Sequence, residues 1–332
     1  MEARLNYIDT AKAVGIFLVV LGHAHYVPEP LIVWIYSFHM PLFFFVSGYL
    51  MSNRKLSGDI LSYVRQQANS LLLPYIIFFG ISFVVWLLRV RITHEVSVSP
   101  LMALKGGLLA YGDVLVVNYP LWFFSCMFVV SLLFFCARKL SGIAFSALFL
   151  TIVGVMATFV FKGVTSPWSL TNALVAVSFY AGGNWFRLKG GPVELLSKRQ
   201  AFVWLMVAVS LSVAVSLWNG RVDLNSMQFG QNPVYFFMGA YAGIASILLF
   251  SRIVYAGVLL QWVSRNTIII FPLHAIFLGV LLFIQRRFLW HDDFSWQFGF
   301  FLALANSLIA IACCYPASYF LSLAFPVVFA KT

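Results

Sequence analysis

Apolar runs long enough to cross a bilayer follow one another along this chain from about residue 13 to residue 328. That pattern leaves few folds open. Inside a hydrocarbon layer every backbone N–H and C=O must be satisfied within the protein, so a sequence of such runs reads as transmembrane helices. The composition agrees: 62% of the 332 residues are hydrophobic and 9% are charged, against roughly 25% charged in an ordinary soluble domain. The expected fold is an all-α polytopic membrane protein. Ten spans are predicted, at about 13–27, 31–51, 70–88, 120–136, 142–161, 168–186, 200–218, 232–250, 266–284 and 297–328, the last long enough to tilt or break.

No polar stretch is long enough for an appended soluble domain, so residues 1–332 read as a single transmembrane domain. The first apolar run carries His23 and His25 and is followed by no small-residue cleavage site, so it reads as a retained span and not a signal peptide. With the N-terminus inside, the cytoplasmic segments hold Arg4, Lys12, Arg54, Lys55, Arg65, Arg138, Lys139, Arg187, Lys189, Lys198, Arg199, Arg252, Arg265 and Lys331. Most of the 21 basic residues then face inward, which predicts both termini in the cytoplasm. The net charge of +11 is scattered between apolar runs, a pattern of membrane topology and not of nucleic-acid binding. Cys126, Cys136, Cys313 and Cys314 sit within apolar runs without metal-ligand spacing, and no metal is implied. The connection from Arg89 to Pro120 is the longest, and suits either an outward lid or a plain tether.

Ionisable residues inside a membrane span are costly and are functional candidates by default. Asp9, Lys12 and His23 lie along one helical stripe of the first segment. Eleven residues separate Lys12 from His23, which returns nearly to the same face about 16 Å along the axis. Neutral imidazole can take a proton from an attacking hydroxyl near neutral pH, so His23 is the candidate base. Gly22 beside it lets a helix or ligand approach closely. Lys12 by itself also suits an interfacial anchor. Asp9 is too far from His23 to contact it and is three residues from Lys12, which it could orient.

Three further positions have two readings each. His39, near Pro41 in the second span, could bind substrate or satisfy a structural hydrogen bond. Trp122 could stack on a sugar or belong to an interfacial aromatic belt. His274 could hydrogen-bond an acceptor or repair backbone opened by Pro272. Ser47 followed by Gly48 reads as close helix packing.

The stripe and the segment after it resemble membrane acyltransferase family 3. The residues concerned are Arg4, Asp9, the Lys12 and His23 pair, Phe38-His39-Met40-Pro41-Leu42-Phe43-Phe44-Phe45-Val46-Ser47-Gly48-Tyr49, and Leu72-Leu73-Pro74-Tyr75. Weaker echoes follow at Pro120 to Phe124, Phe179 to Gly182 and Asn266 to His274. Within the family the chain looks most like the fucose 4-O-acetylase-like branch. The resemblance implies an O-acyltransferase in a bacterial inner membrane. Acetyl would pass from cytoplasmic acetyl-CoA to a hydroxyl of a surface glycan or lipid-linked sugar at the outer face. It implies His23 as the essential histidine and Lys12 as the basic partner. Arg65 corresponds to the first residue of the family's Arg-x-x-Arg motif, but Ala68 stands where the second arginine belongs. Direct attack of the hydroxyl and an acyl-imidazole relay both remain open. The competing class is a multi-pass transporter of a glycan or small organic substrate, and oligomeric state is not readable.

Overall fold

The computed structural model describes residues 6–94, 98–288 and 295–329. Arg4 and Lys331 therefore lie outside the described residues. The elements, in order, are α1 (Asn6–His23), α2 (Glu29–Tyr49), α3 (Asn53–Ser57), α4 (Ile60–Gln67), a π-helical turn (Ala68–Leu72), α5 (Leu73–Thr93) and α6 (Pro100–Leu109). They continue with α7 (Trp122–Leu140), α8 (Ile143–Val160), α9 (Leu170–Leu188) and α10 (Lys198–Asn219). A hairpin of β1 (Val222–Asp223) and β2 (Gln228–Phe229) leads to α11 (Pro233–Ile253), α12 (Val258–Arg265), α13 (Thr267–Phe288), α14 (Trp296–Ala324) and α15 (Pro326–Phe329).

The protein is an all-α polytopic membrane protein. Among the described residues, eight helical stretches are long and apolar enough to cross a membrane. The two other expected spans correspond to α1 and α9, with 18 and 19 residues, which are interrupted by polar side chains such as Asp9, Lys12, Asn172 and Asn184. They can do so because they are covered by protein. Most of α1 is buried, packed against α11, α12, α13 and α14, and most of α9 is buried against α7 and α8. A helix screened from lipid need not be apolar all round. The expected tenth span is shorter than its apolar run, because α14 ends at Ala324 and the chain turns at Phe325 before Pro326.

The chain packs as two compact units, one of Met1–Phe43, Gly191–Val222 and Gly230–Thr332, the other of Phe44–Gly190 and Asp223–Phe229. In the second unit, Gly48 lets α2 meet α9. A Cβ there would collide with the Tyr180 carbonyl, which is the close packing expected of Ser47-Gly48. The connection after Arg89 is not a loose tether. α5 runs on to Thr93, and α6 is held by bonds from Tyr75 Oη to the Gly107 carbonyl (2.6 Å) and from Ser125 Oγ to the Ala110 carbonyl (2.7 Å).

In the first unit, buried polar groups join helices where apolar attraction cannot, since lipid competes for apolar surface. Trp34 Nε1 donates to Ser212 Oγ (3.1 Å) and Ser216 Oγ to Ser37 Oγ (2.8 Å), joining α2 to α10. The amides of Gln285 and Asn306 bond reciprocally between α13 and α14 (2.7 and 3.2 Å). The start of α1 is fastened to the segment before α12. Asn6 exchanges two bonds with the Ala256 backbone, and Thr10 Oγ1 donates to the Val254 carbonyl (3.2 Å).

Candidate active site

Three histidines from three helices converge in the first unit. His23 ends α1, His39 sits in the middle of α2, and His274 lies in α13 two residues after Pro272. The His23 ring centroid is 5.0 Å from that of His274 and 6.3 Å from that of His39. Tyr36, one turn before His39 on α2, fills the third side, 5.7 Å from His23 and 4.9 Å from His39. Gly22 makes the approach possible. A Cβ there would stand 3.1 Å from Ile35 Cγ2 and 3.3 Å from Tyr36 Cε2, so a larger residue would push α2 away from the histidine.

One hydrogen-bond pattern recurs at all three imidazoles. Each Nδ1 donates to the carbonyl four residues earlier: His23 to Val19 (2.8 Å), His39 to Ile35 (2.9 Å) and His274 to Ile270 (3.3 Å). Because a carbonyl only accepts, Nδ1 must carry the hydrogen, which leaves the lone pair of the neutral ring on Nε2. His274 is fully buried and its Nε2 has no hydrogen-bond partner among the described residues. His39 is likewise buried, whereas His23 is partly open. The arrangement is one accessible imidazole backed by two enclosed ones.

The repair reading of His274 loses its basis here. Pro272 cannot donate to the carbonyl of Ile268, yet His274 bonds the carbonyl of Ile270. His39 is bound to its own helix, so its structural bond is real and uses only Nδ1.

At the other end of α1, Asp9 is buried and its Oδ1 accepts a 2.7 Å hydrogen bond from Ser264 Oγ on α12. Its sequence neighbour Lys12 is half-buried on the same uninterrupted helix, about 16 Å along the axis from His23. Ser264 was not legible beforehand, because it lies 255 residues away. Tyr36 was more accessible to reasoning, since it precedes His39 by one helical turn on the same face.

Arg65 and Trp122 belong to the second unit. Arg65 is exposed in the last turn of α4, whose N-cap Asp59 accepts from the Ser62 N–H (2.9 Å). The π-helical turn that begins at Ala68 follows it. Trp122 is only 5% exposed and packs near Phe44 and Phe123, so its ring offers little open face for a sugar. Among the described residues, no group of three or more His, Cys, Asp or Glu is arranged to hold a metal ion.

The family described as Acyltransferase domain matches residues 5–325. Nodulation protein NolL of Mesorhizobium japonicum is 26% identical over 335 residues, covering 92% of this chain and 84% of that protein. Nodulation protein NolL of Sinorhizobium fredii is 30% identical over 144 residues, covering 40% of this chain and 37% of that protein. No solved structure matches the chain significantly.

Proposed function

The chain belongs to the membrane acyltransferase 3 family, and from that premise we propose that it is an O-acetyltransferase of a bacterial inner membrane. The donor is cytoplasmic acetyl-CoA, and the acceptor is a hydroxyl of a surface glycan or lipid-linked sugar at the outer face. Both termini are then cytoplasmic, as the distribution of basic residues favours.

The observation that carries the reading is the imidazole pattern. A histidine whose Nδ1–H is held by the Val19 carbonyl presents a basic Nε2, and His23 is the partly open member of the cluster. In the reaction, Nε2 of His23 takes the proton of the acceptor hydroxyl as its oxygen attacks the thioester carbonyl. The C–S bond breaks, the thiolate leaves, and the imidazolium returns the proton to sulfur. Direct attack needs only this one base. An acyl-imidazole relay would use the same atom as nucleophile.

The enclosed histidines act as acceptors behind it. His274 Nε2 is buried, where an unmet lone pair is costly, so a substrate hydroxyl that donates to it is held firmly. His39 has the same tautomer and lines the acceptor side with Tyr36. Lys12, at the opposite end of α1 from His23, meets the anionic part of the donor. The flexible pantetheine arm spans the distance between Lys12 and His23.

The test is transfer of radiolabelled acetyl from acetyl-CoA to cell-envelope glycans in membranes containing wild type or His23→Ala at matched abundance. Label with wild type alone supports the assignment. Equal label from both proteins removes His23 from the chemistry, and substrate flux in proteoliposomes without acetyl-CoA, unaffected by His23→Ala, would make the protein a transporter.

A further inference from the structure

Beyond the histidines, a second set of side chains runs outward from Tyr36 along α2. Glu29 opens this helix, and Tyr36 follows seven residues later, two turns along the same face. Arg221 reaches over from the end of α10. Its Cζ lies 5.5 Å from the Tyr36 ring centroid, and its Nη1 is 3.7 Å from Glu29 Oε1. Arg221 and Glu29 are 58% and 61% exposed, whereas His39 and His274 at the inner end are buried. Exposed charge thus passes through one aromatic ring to the partly open His23.

The fold holds Arg221 in this place. The Trp34–Ser212 and Ser37–Ser216 bonds fix the last turns of α10 against α2, and Arg221 follows two residues past the helix end. Beyond it, the Asn219 carbonyl accepts from the Gln231 N–H (2.8 Å) and Asn219 Oδ1 from the Asn232 N–H (2.9 Å), tying down both sides of the turn. Gly230 sits there at φ +71, pressed against Asn219, a conformation and a space that only glycine fits.

Resting on the acetyltransferase reading above, we propose that Tyr36, Arg221 and Glu29 form the acceptor subsite and that it takes an uncharged, hydroxyl-rich sugar ring. Adjacent hydroxyls of a pyranose both donate and accept, which matches a guanidinium beside a carboxylate. The apolar C–H face of the sugar matches an aromatic ring. Glu29 decides against a free anion, because a phosphate or carboxylate at Arg221 would meet the Glu29 charge or have to displace it. A long, exposed ion pair contributes little to stability, so its geometry is cheap to open for a ligand.

The experiment follows acetyl transfer by the purified full chain from radiolabelled acetyl-CoA to a cell-envelope glycan extract, varying extract and donor separately. Arg221→Ala and Tyr36→Leu should each raise the half-saturating amount of extract at least fivefold and leave half-saturation by acetyl-CoA unchanged. Glu29→Gln, which keeps an acceptor oxygen, should have a smaller effect of the same kind. Unchanged dependence on extract in both Arg221→Ala and Tyr36→Leu overturns the subsite. So does a parallel rise for donor and acceptor, which marks a general distortion. Inhibition of wild type by inorganic pyrophosphate that Arg221→Ala abolishes would assign the patch to phosphate and overturn it as well. Wild type that transfers no label to the extract overturns the acetyltransferase reading and this subsite with it, an outcome distinct from the other three.

Discussion

His274 meets His23 edge to face, the two ring centroids 5.0 Å apart and their planes at 63°. Two hundred and fifty-one residues of sequence separate them, yet both rings donate Nδ1 to their own helices and carry the lone pair on Nε2. A single such histidine is common packing. Two face each other here, one partly open and one fully enclosed, and under the proposed acetyltransferase reading one binds the acceptor hydroxyl while the other deprotonates it.

The two rings should therefore separate in mutant kinetics. His23→Ala is expected to lower kcat by about 10²- to 10⁴-fold, the usual range for loss of a general base. His274→Leu should mainly weaken acceptor use, because it removes a hydrogen-bond acceptor and not the base. Single-turnover acetyl transfer at saturating donor, with the acceptor varied, measures both. Equal effects on kcat from both substitutions would remove the division of roles.

Lys12 should report on the donor. Lys12→Ala is expected to raise the acetyl-CoA concentration for half-maximal rate about tenfold, equivalent to about 1.4 kcal/mol of lost binding. Ser264→Ala should shift the same parameter in the same direction, because the Ser264 bond to Asp9 steadies the start of the stripe. A donor dependence identical to wild type in Lys12→Ala would take Lys12 out of the donor site.

The close approach of α2 and α9 in the second unit gives a contrast in stability. Gly48→Ala forces a methyl against the Tyr180 carbonyl, which backbone cannot turn aside, and should destabilise the protein by about 1–3 kcal/mol. A Cβ at Gly80, inside α5, meets nothing within 4 Å. Gly80→Ala should therefore stabilise by about 0.5–1 kcal/mol through helix propensity alone. Thermal unfolding in detergent would rank the two; equal midpoints would deny the contact at Gly48.

His25, in the loop after α1, provides a pH signature outside the spans. Partial burial, and then the nearby Arg286 charge, hold its pKa below the ordinary 6.5. The unfolded chain consequently binds more protons just below that value, so this group's contribution is present above about pH 6.5 and lost as pH falls through the folded pKa. His25→Asn should flatten the acid-side decline in unfolding midpoint. A decline as steep as wild type between pH 7 and pH 5 would show that other groups cause it.

Much of this could be read without coordinates. Hydropathy marks membrane helices because each span must satisfy its own backbone, a local requirement written in consecutive residues. The alignment of Lys12 with His23 is equally local, since helical geometry alone sets it. Hydropathy could not foretell that α1 and α9 would be the protein-covered helices, because their cover comes from α11 to α14 in one unit and α7 and α8 in the other. Trp122 shows the same limit from the opposite side: its position suggested an open aromatic face, and packing beside Phe44 and Phe123 closes it.

The sequence by itself determined an all-α membrane protein, its family, and the pairing of a basic residue with a histidine on the first helix. Only the tertiary structure decided that His39 and His274 stand around His23, that Ser264 holds Asp9, and that Tyr36 carries the line of polar groups out to Arg221. The reason is physical. Periodicity and hydropathy record what one segment demands of its surroundings, whereas which helix meets that demand depends on close approaches, such as Ile35 and Tyr36 against Gly22, between residues that no local pattern connects.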